Sequence, residues 1–137
     1  MMILKKSPKK LIIPLAGLGT RFLPASSVCP KEMAYLVDRP VLQYLVEEAY
    51  NSDIKEIIFV LNSQKDIIKK YFSLEYQSKY KRKDLADLYD LIRKIKFHYV
   101  TKNSTLGDGH SILLARRFIK PDEPFVVTMG DLLAPSE

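Results

Sequence analysis

The run Leu15-Ala16-Gly17-Leu18-Gly19-Thr20-Arg21 is the strongest local signal for chemistry in this chain. Two glycines directly after an apolar run let backbone amides approach a polyphosphate closely. Arg21 adds a planar fork of donors that suits phosphate oxygens. The run lacks the third glycine of the dinucleotide fingerprint and the Gly-Lys-Ser/Thr of a P-loop. Taken alone, it stays open between a phosphate-binding loop and a tight structural turn. Further on stands Pro30-Lys31-Glu32-Met33. If that loop leaves the same rim, Lys31 returns to the same site, and Pro30 limits the loop's freedom. His110 follows Gly109 at the start of an apolar stretch. It reads either as a contact to a phosphate rim or as a capping, solvent-facing imidazole. His98, His110 and the lone cysteine, Cys29, have no zinc spacing. No base can be assigned to Cys29, so it reads as a small loop residue rather than a nucleophile.

The elements that must position these residues follow from the apolar pattern. Leu11–Ala16 reads as a buried strand closed by Gly17 and Gly19, with Pro14 awkward in it because proline cannot donate to a ladder. Pro40 opens a helix carrying Val41, Leu42, Leu45, Val46 and Ala49 on its apolar face. Glu56–Leu61 is a second strand, and Gln64–Phe72 reads as a helix. Ser73–Lys83 is polar and basic, either a loop or a continuing helix. Leu85, Leu88, Ile92 and Ile95 mark another helical face. Lys96–Val100 is a third strand. Gly109 precedes a helix that runs to roughly Phe118. Pro124 introduces a fourth strand, Phe125–Met129. Strands alternating with helices give an α/β fold with a parallel sheet and right-handed crossovers. We expect four strands in the order 3-2-1-4, helices on both faces, and one domain over residues 1–137. Ligands of such sheets bind beyond the carboxyl ends of the strands. That puts Gly17–Arg21, the stretch ahead of Gly109, and Gly130–Asp131 on one rim.

Composition bounds the function. Of 137 residues, 47% are hydrophobic and 28% charged, which excludes disorder over the whole chain. A single cysteine excludes a disulfide scaffold. No stretch reaches the ~20 apolar residues that span a bilayer. The N-terminal MMILKKSPKK has no apolar segment before a cleavage site, so a cytoplasmic protein without a membrane partner is expected. The net charge of +6 is local, in Lys5, Lys6, Lys9 and Lys10 and in Lys79, Lys81, Arg82 and Lys83. Without those eight, 14 of the 22 basic residues face 16 acidic ones. Tyr71, Tyr76, Tyr80 and Tyr89 interleave with basic residues, a pattern that packing explains better than base stacking. Nucleic acid is not an expected partner.

The motifs agree with one another. Gly17-Leu18-Gly19-Thr20-Arg21-Phe22-Leu23-Pro24, Pro30-Lys31-Glu32-Met33 and Val37-Asp38-Arg39-Pro40 resemble the bacterial UTP–glucose-1-phosphate uridylyltransferases, within the sugar-phosphate nucleotidyltransferases. Gln43-Tyr44, Val46-Glu47-Glu48-Ala49 and Ile54-Lys55-Glu56-Ile57 continue the likeness. So do Leu106-Gly107-Asp108-Gly109-His110, Asp122-Glu123-Pro124-Phe125 and Asp131-Leu132-Leu133. The resemblance implies a Rossmann-like domain that transfers UMP from UTP to glucose 1-phosphate with Mg2+. It implies that Ala16 and Gly17 face the uracil or ribose, and that Gly19, Thr20 and Arg21 hold the triphosphate. Lys31 would steady the phosphates during attack, and Glu32 and Gly109 would lie near the nucleotide. His110 would meet the sugar phosphate, and Asp131 would ligate Mg2+. Phosphoryl transfer needs positioning and charge neutralisation above all, which these residue types supply.

This sequence departs from the pattern at several places. Lys102 stands where the family has a glutamine that reads the uracil edge, and lysine has three donors and no acceptor. Ser26-Ser27 replaces Thr-Lys, Ala34-Tyr35 replaces Leu-Pro, and Gly130 replaces a proline. The sequence ends at Glu137, soon after Asp131, whereas family members are considerably longer. The expectation is therefore a truncated nucleotidyltransferase fold, weak or inactive by itself. The alternative is a non-catalytic relic that binds nucleotide or a partner. An unpaired fourth strand would leave apolar Phe125, Val126 and Val127 at an edge. A homo-oligomer or a partner chain is expected there.

Overall fold

The computed structural model describes residues 6–104 and 106–133; Lys5 of the first basic cluster lies outside them. In chain order the elements are β1 (Lys10–Pro14), β2 (Tyr35–Leu36), β3 (Arg39–Pro40), α1 (Val41–Asn51), β4 (Glu56–Leu61) and α2 (Asp66–Tyr71). Then come α3 (Leu74–Gln77), α4 (Ala86–Lys94), β5 (Lys96–Thr101), α5 (Asp108–Ala115) and β6 (Val126–Val127). The main sheet has the order β5-β4-β1-β6, and all its pairings are parallel. Counted along its own four strands, this is the expected 3-2-1-4. Among the described residues no helix is long and apolar enough to cross a membrane.

Strand alternation sorts the core into two layers. Leu11, Ile13, Ile57, Phe59 and Leu61 point to one face, where α1, α2 and α4 add Leu42, Val46, Ile68, Leu88 and Ile92. Ile12, Ile58, Val60 and Val100 point to the other, against Ala115 of α5 and Phe118 beyond it. Sheets buried on both faces read as continuous apolar runs, as β4 does. Lys10 is buried at the start of β1. Its Nζ donates to the Phe118 carbonyl at 2.7 Å and pairs with Glu123 at 3.0 Å. That contact ties the connection between α5 and β6 to the centre of the sheet.

Several boundaries differ from the sequence reading. The first strand ends at Pro14, not Ala16. The Leu15 N–H donates to the Val60 carbonyl at 2.8 Å. Alternate residues of a parallel strand bond to opposite neighbours, so the nitrogen of Pro14 faces the β6 side. There β6 pairs only with Leu11 and Ile12, so proline interrupts no bond of that ladder. The fourth strand is correspondingly short, two residues rather than Phe125–Met129. The helix expected from Gln64 begins at Asp66. Asn62 Oδ1 accepts from the Gln64 N–H at 2.9 Å, and this Asx turn holds the approach out of the helix. Ser73–Lys83 is neither a plain loop nor one helix. Ser73 accepts from the Tyr76 N–H to cap α3, and Lys81 then takes a left-handed conformation that stops continuation. The β2–β3 hairpin was not expected. Its turn carries Val37 at φ 67°, and Arg39 pairs with Asp38 and Glu47 to fasten it to α1.

Candidate active site

The loops at the carboxyl ends of β1, β4, β5 and β6 form one rim. After β1, Gly19 takes φ +65° and leads into a short helical turn, Thr20–Phe22. Ser26 Oγ donates to the Gly19 carbonyl at 2.7 Å, and a Cβ on Gly19 would sit 3.2 Å from Ser26 Cβ. Both the backbone conformation and the contact favour glycine. Gly17 has no atom within 4 Å of the position a Cβ would take, so its backbone is open to close approach. Asn62 Nδ2 donates to the Ala16 carbonyl at 3.0 Å, locking the β4 loop against the glycine loop. The sequence reading did not single out Asn62. Its only signal was an amide directly after a buried strand.

Between these loops and β5 lies an open cleft of about 760 Å³. Ala16, Gly17, Thr20, Asn62, Lys102 and Ser111 are among its lining residues. Lys102 is 5% exposed. Its Nζ donates to the Gly107 carbonyl at 2.9 Å and to Ser111 Oγ at 3.2 Å, bracing the entry to α5. Among the described residues no carboxylate pairs with it. Gly19 and Lys31 line a smaller adjoining pocket of about 50 Å³, with Ser26, Ser27 and Lys65. Arg21, Glu32, Gly109, His110 and Asp131 line neither pocket. Arg21 is exposed at the rim. His110 Nδ1 lies 3.1 Å from Oγ of Ser104, a residue that lines the cleft.

Two ion pairs lie side by side beyond the glycine loop. Lys31 Nζ donates to Asp131 Oδ2 at 2.6 Å, with the two side chains 30% and 45% exposed. The Lys31 ammonium holds the Asp131 carboxyl below the usual carboxylate range, so Asp131 is ionised at neutral pH. Behind it, both Glu32 oxygens accept from Lys65 Nζ at 3.0 Å, and this pair is almost fully buried. Lys65 was missed by the sequence reading, because Lys65–Tyr71 reads only as a charged helix start. Gly130 brings the chain from β6 to this point. A Cβ there would fall 2.0 Å from Leu15 Cδ2 and 3.1 Å from Glu32 Cγ, so any side chain at this position would force Leu15 to shift. Among the described residues, no three His, Cys, Asp or Glu side chains gather to hold a metal. A single ionised, accessible carboxylate does suit a hard cation that completes its shell with phosphate oxygens and water, as Mg2+ does.

Residues 10–136 match the pattern that defines the family described as nucleotidyl transferase. This chain belongs to that family. It is 41% identical over 140 residues to the UTP–glucose-1-phosphate uridylyltransferase YngB of Bacillus subtilis (strain 168), covering 98% of this chain and 47% of that protein. The UTP–glucose-1-phosphate uridylyltransferase of Staphylococcus haemolyticus (strain JCSC1435) is 43% identical over 143 residues, covering 96% of this chain and 48% of its own length. The UTP-bound UGPase structure from Acinetobacter baumannii superimposes with a TM-score of 0.80 at 37% identity, over 96% of this chain and 48% of that one. The chain thus spans about half the length of the curated relatives it matches.

Proposed function

We propose that residues 1–137 form one nucleotide-binding domain of a UTP–glucose-1-phosphate uridylyltransferase. The observation that carries this reading is the meeting of Lys31 and Asp131, 2.6 Å apart, beside the open glycine-lined cleft. A triphosphate needs cations, a divalent metal needs a carboxylate, and a nucleoside needs the cleft next to them. UTP would lie across the strand ends, base toward β5 and phosphates toward β1 and β6. Ala16, Gly17, Lys102 and Gly109 would attend the base and ribose. Gly19, Thr20 and Arg21 would hold the triphosphate, with Glu32 positioned behind it through Lys65. Lys31 would steady the phosphates while a phosphate oxygen of glucose 1-phosphate attacks the α-phosphorus. That bond forms as the α–β bridge breaks, giving UDP-glucose and releasing pyrophosphate. His110 would meet the sugar phosphate. Asp131 would hold Mg2+, which when bound neutralises phosphate charge.

Calorimetric titration with UTP and Mg2+, with ATP and dTTP as controls, tests this reading. Saturable UTP binding is expected. Arg21 is exposed and makes no hydrogen bond among the described residues, so Arg21→Ala should leave the fold intact. Losing one charge-assisted phosphate contact should weaken UTP about 10- to 100-fold. No saturable binding by any nucleotide would overturn the reading. Formation of UDP-glucose that Asp131→Asn abolishes would extend it to turnover, and binding without turnover would favour a non-catalytic role.

The β6 edge supports a second part of the proposal. Phe125, Val126, Val127 and Met129 are 42%, 38%, 38% and 41% exposed in and beside β6, which pairs with β1 on one side and is an edge strand of the sheet among the described residues. Apolar edges of this kind recruit further chain. We propose a second copy or a partner chain here. Sedimentation equilibrium should give an apparent mass that rises with concentration, and Val127→Lys should suppress the rise. A strictly monomeric mass at high concentration would refute it.

A further inference from the structure

Three lysines are buried among the described residues: Lys10, Lys65 and Lys102. Lys10 pairs with Glu123 and Lys65 with Glu32, so each of those charges is matched. Lys102 has no carboxylate partner among the described residues, although Asp108 lines the same cleft. Its Nζ donates to two neutral acceptors, the Gly107 carbonyl at 2.9 Å and Ser111 Oγ at 3.2 Å. An ammonium has three N–H donors and no acceptor, so one donor and the whole charge remain to be met. Burying a cation in that state is costly, and a hydrogen-bond acceptor supplied from the cleft would offset the cost.

Lys102 follows β5 directly and lines the cleft, on the side where the proposed function puts the base, and the inference rests on that reading. Bases differ in what they turn toward such a wall. Uracil and guanine project a carbonyl oxygen, O4 or O6, whereas cytosine and adenine project an amino group, N4 or N6. A carbonyl accepts from the ammonium. An amino group brings a second donor and leaves the charge unmatched. An amide can turn either its oxygen or its nitrogen to a base, and an ammonium has no such choice.

We infer that Lys102 makes the cleft selective for nucleotides whose base carries a carbonyl, guanine as well as uracil, over those whose base carries an amino group there. A single free donor reads a single atom, so Lys102 distinguishes the exocyclic group and not the size of the ring.

Calorimetric titration with UTP, CTP, GTP and ATP, each with Mg2+, tests this in the unmodified protein, Lys102→Met and Lys102→Gln. UTP against CTP and GTP against ATP each hold ring size constant. In the unmodified protein the carbonyl member of each pair should bind about 5- to 100-fold more tightly. In Lys102→Met both ratios should fall to within about twofold of one, because no directed donor remains. Lys102→Gln should flatten them as well, since its amide can turn its oxygen to an amino group. If Lys102 only braced the entry to α5, both variants would weaken all four nucleotides alike and leave the ratios as they were. That result would overturn the inference. So would a ratio near one for either pair in the unmodified protein. Binding of none of the four would overturn the reading of the cleft as a nucleotide site, and the inference with it. Thermal melting of each variant checks that the fold persists.

Discussion

Replacing Glu32 by alanine should cost about 3–5 kcal/mol of folding stability, although the residue lies in a loop and touches no large apolar cluster by its own chemistry. Glu32 is 3% exposed and Lys65 5% exposed, and both carboxylate oxygens accept from one ammonium at 3.0 Å. Removing the acid leaves the ammonium buried without a counter-ion, and desolvating a lone charge is what makes such a break costly. The loss should spread to the site. Gly130 runs against the Glu32 side chain, so a hole there loosens the segment that delivers Asp131 to Lys31. Urea unfolding of Glu32→Ala, Lys65→Met and the paired Glu32→Leu/Lys65→Met measures the effect. Each single substitution should fall in the stated range. The paired one should recover most of the loss, because it removes both charges together. Single costs below about 1 kcal/mol would mean that the pair behaves as an exposed one.

Much of this fold is written in local pattern. Glu56–Leu61 has the same bounds in sequence and structure, because a run of β-branched and aromatic residues buried on both faces has few alternatives. The parallel sheet and the rim followed from the alternation of strands and helices. Legibility failed where a long-range or single-residue effect decided the outcome. Pro14 is tolerated in its strand because of the side on which its nitrogen lies, which depends on a neighbour more than a hundred positions away in sequence. Asn62 trims α2 with one side-chain bond, and at the same time fixes Ala16. The hairpin at Leu36–Arg39 needs a valine at φ 67°, which no propensity would suggest. In the site, Lys31 and Asp131 were both legible as chemistry. Their contact was not, since it spans 100 positions. Lys65 was invisible for the same reason: its partner Glu32 lies 33 positions away. Types and spacing reveal which residues can act, and the tertiary fold decides which of them meet.

Phe59→Ala should destabilise the protein by about 3–5 kcal/mol, the upper range for an aromatic deleted from a core. Phe59 is fully buried in β4. Its ring lies 5.5 Å from Phe72 and 5.8 Å from both Phe97 and Tyr99, with all three stacked on it. It therefore joins β4 to β5 and to the end of α2, and Phe97 and Tyr99 cannot collapse into the space without leaving the sheet. Phe97 takes part in the same stack but is only partly buried, so Phe97→Ala should cost clearly less. Because the two rings share contacts, the double substitution should cost less than the sum of the singles. Denaturant unfolding gives all three values. A domain of this size holds about 5–15 kcal/mol in total, so the larger loss takes a substantial part of its stability. Beyond the stack, β4 ends at Leu61 and β5 at Thr101, directly before Asn62 and Lys102. The same ring that stabilises the sheet thus holds the two strands whose ends set the width of the cleft. Amide exchange should show it: in Phe59→Ala, protection should fall more along β5 than along β1, which contributes no ring to the stack. Equal loss in both strands would mean that the sheet opens as one unit, with Phe59 no more than an average member of its core.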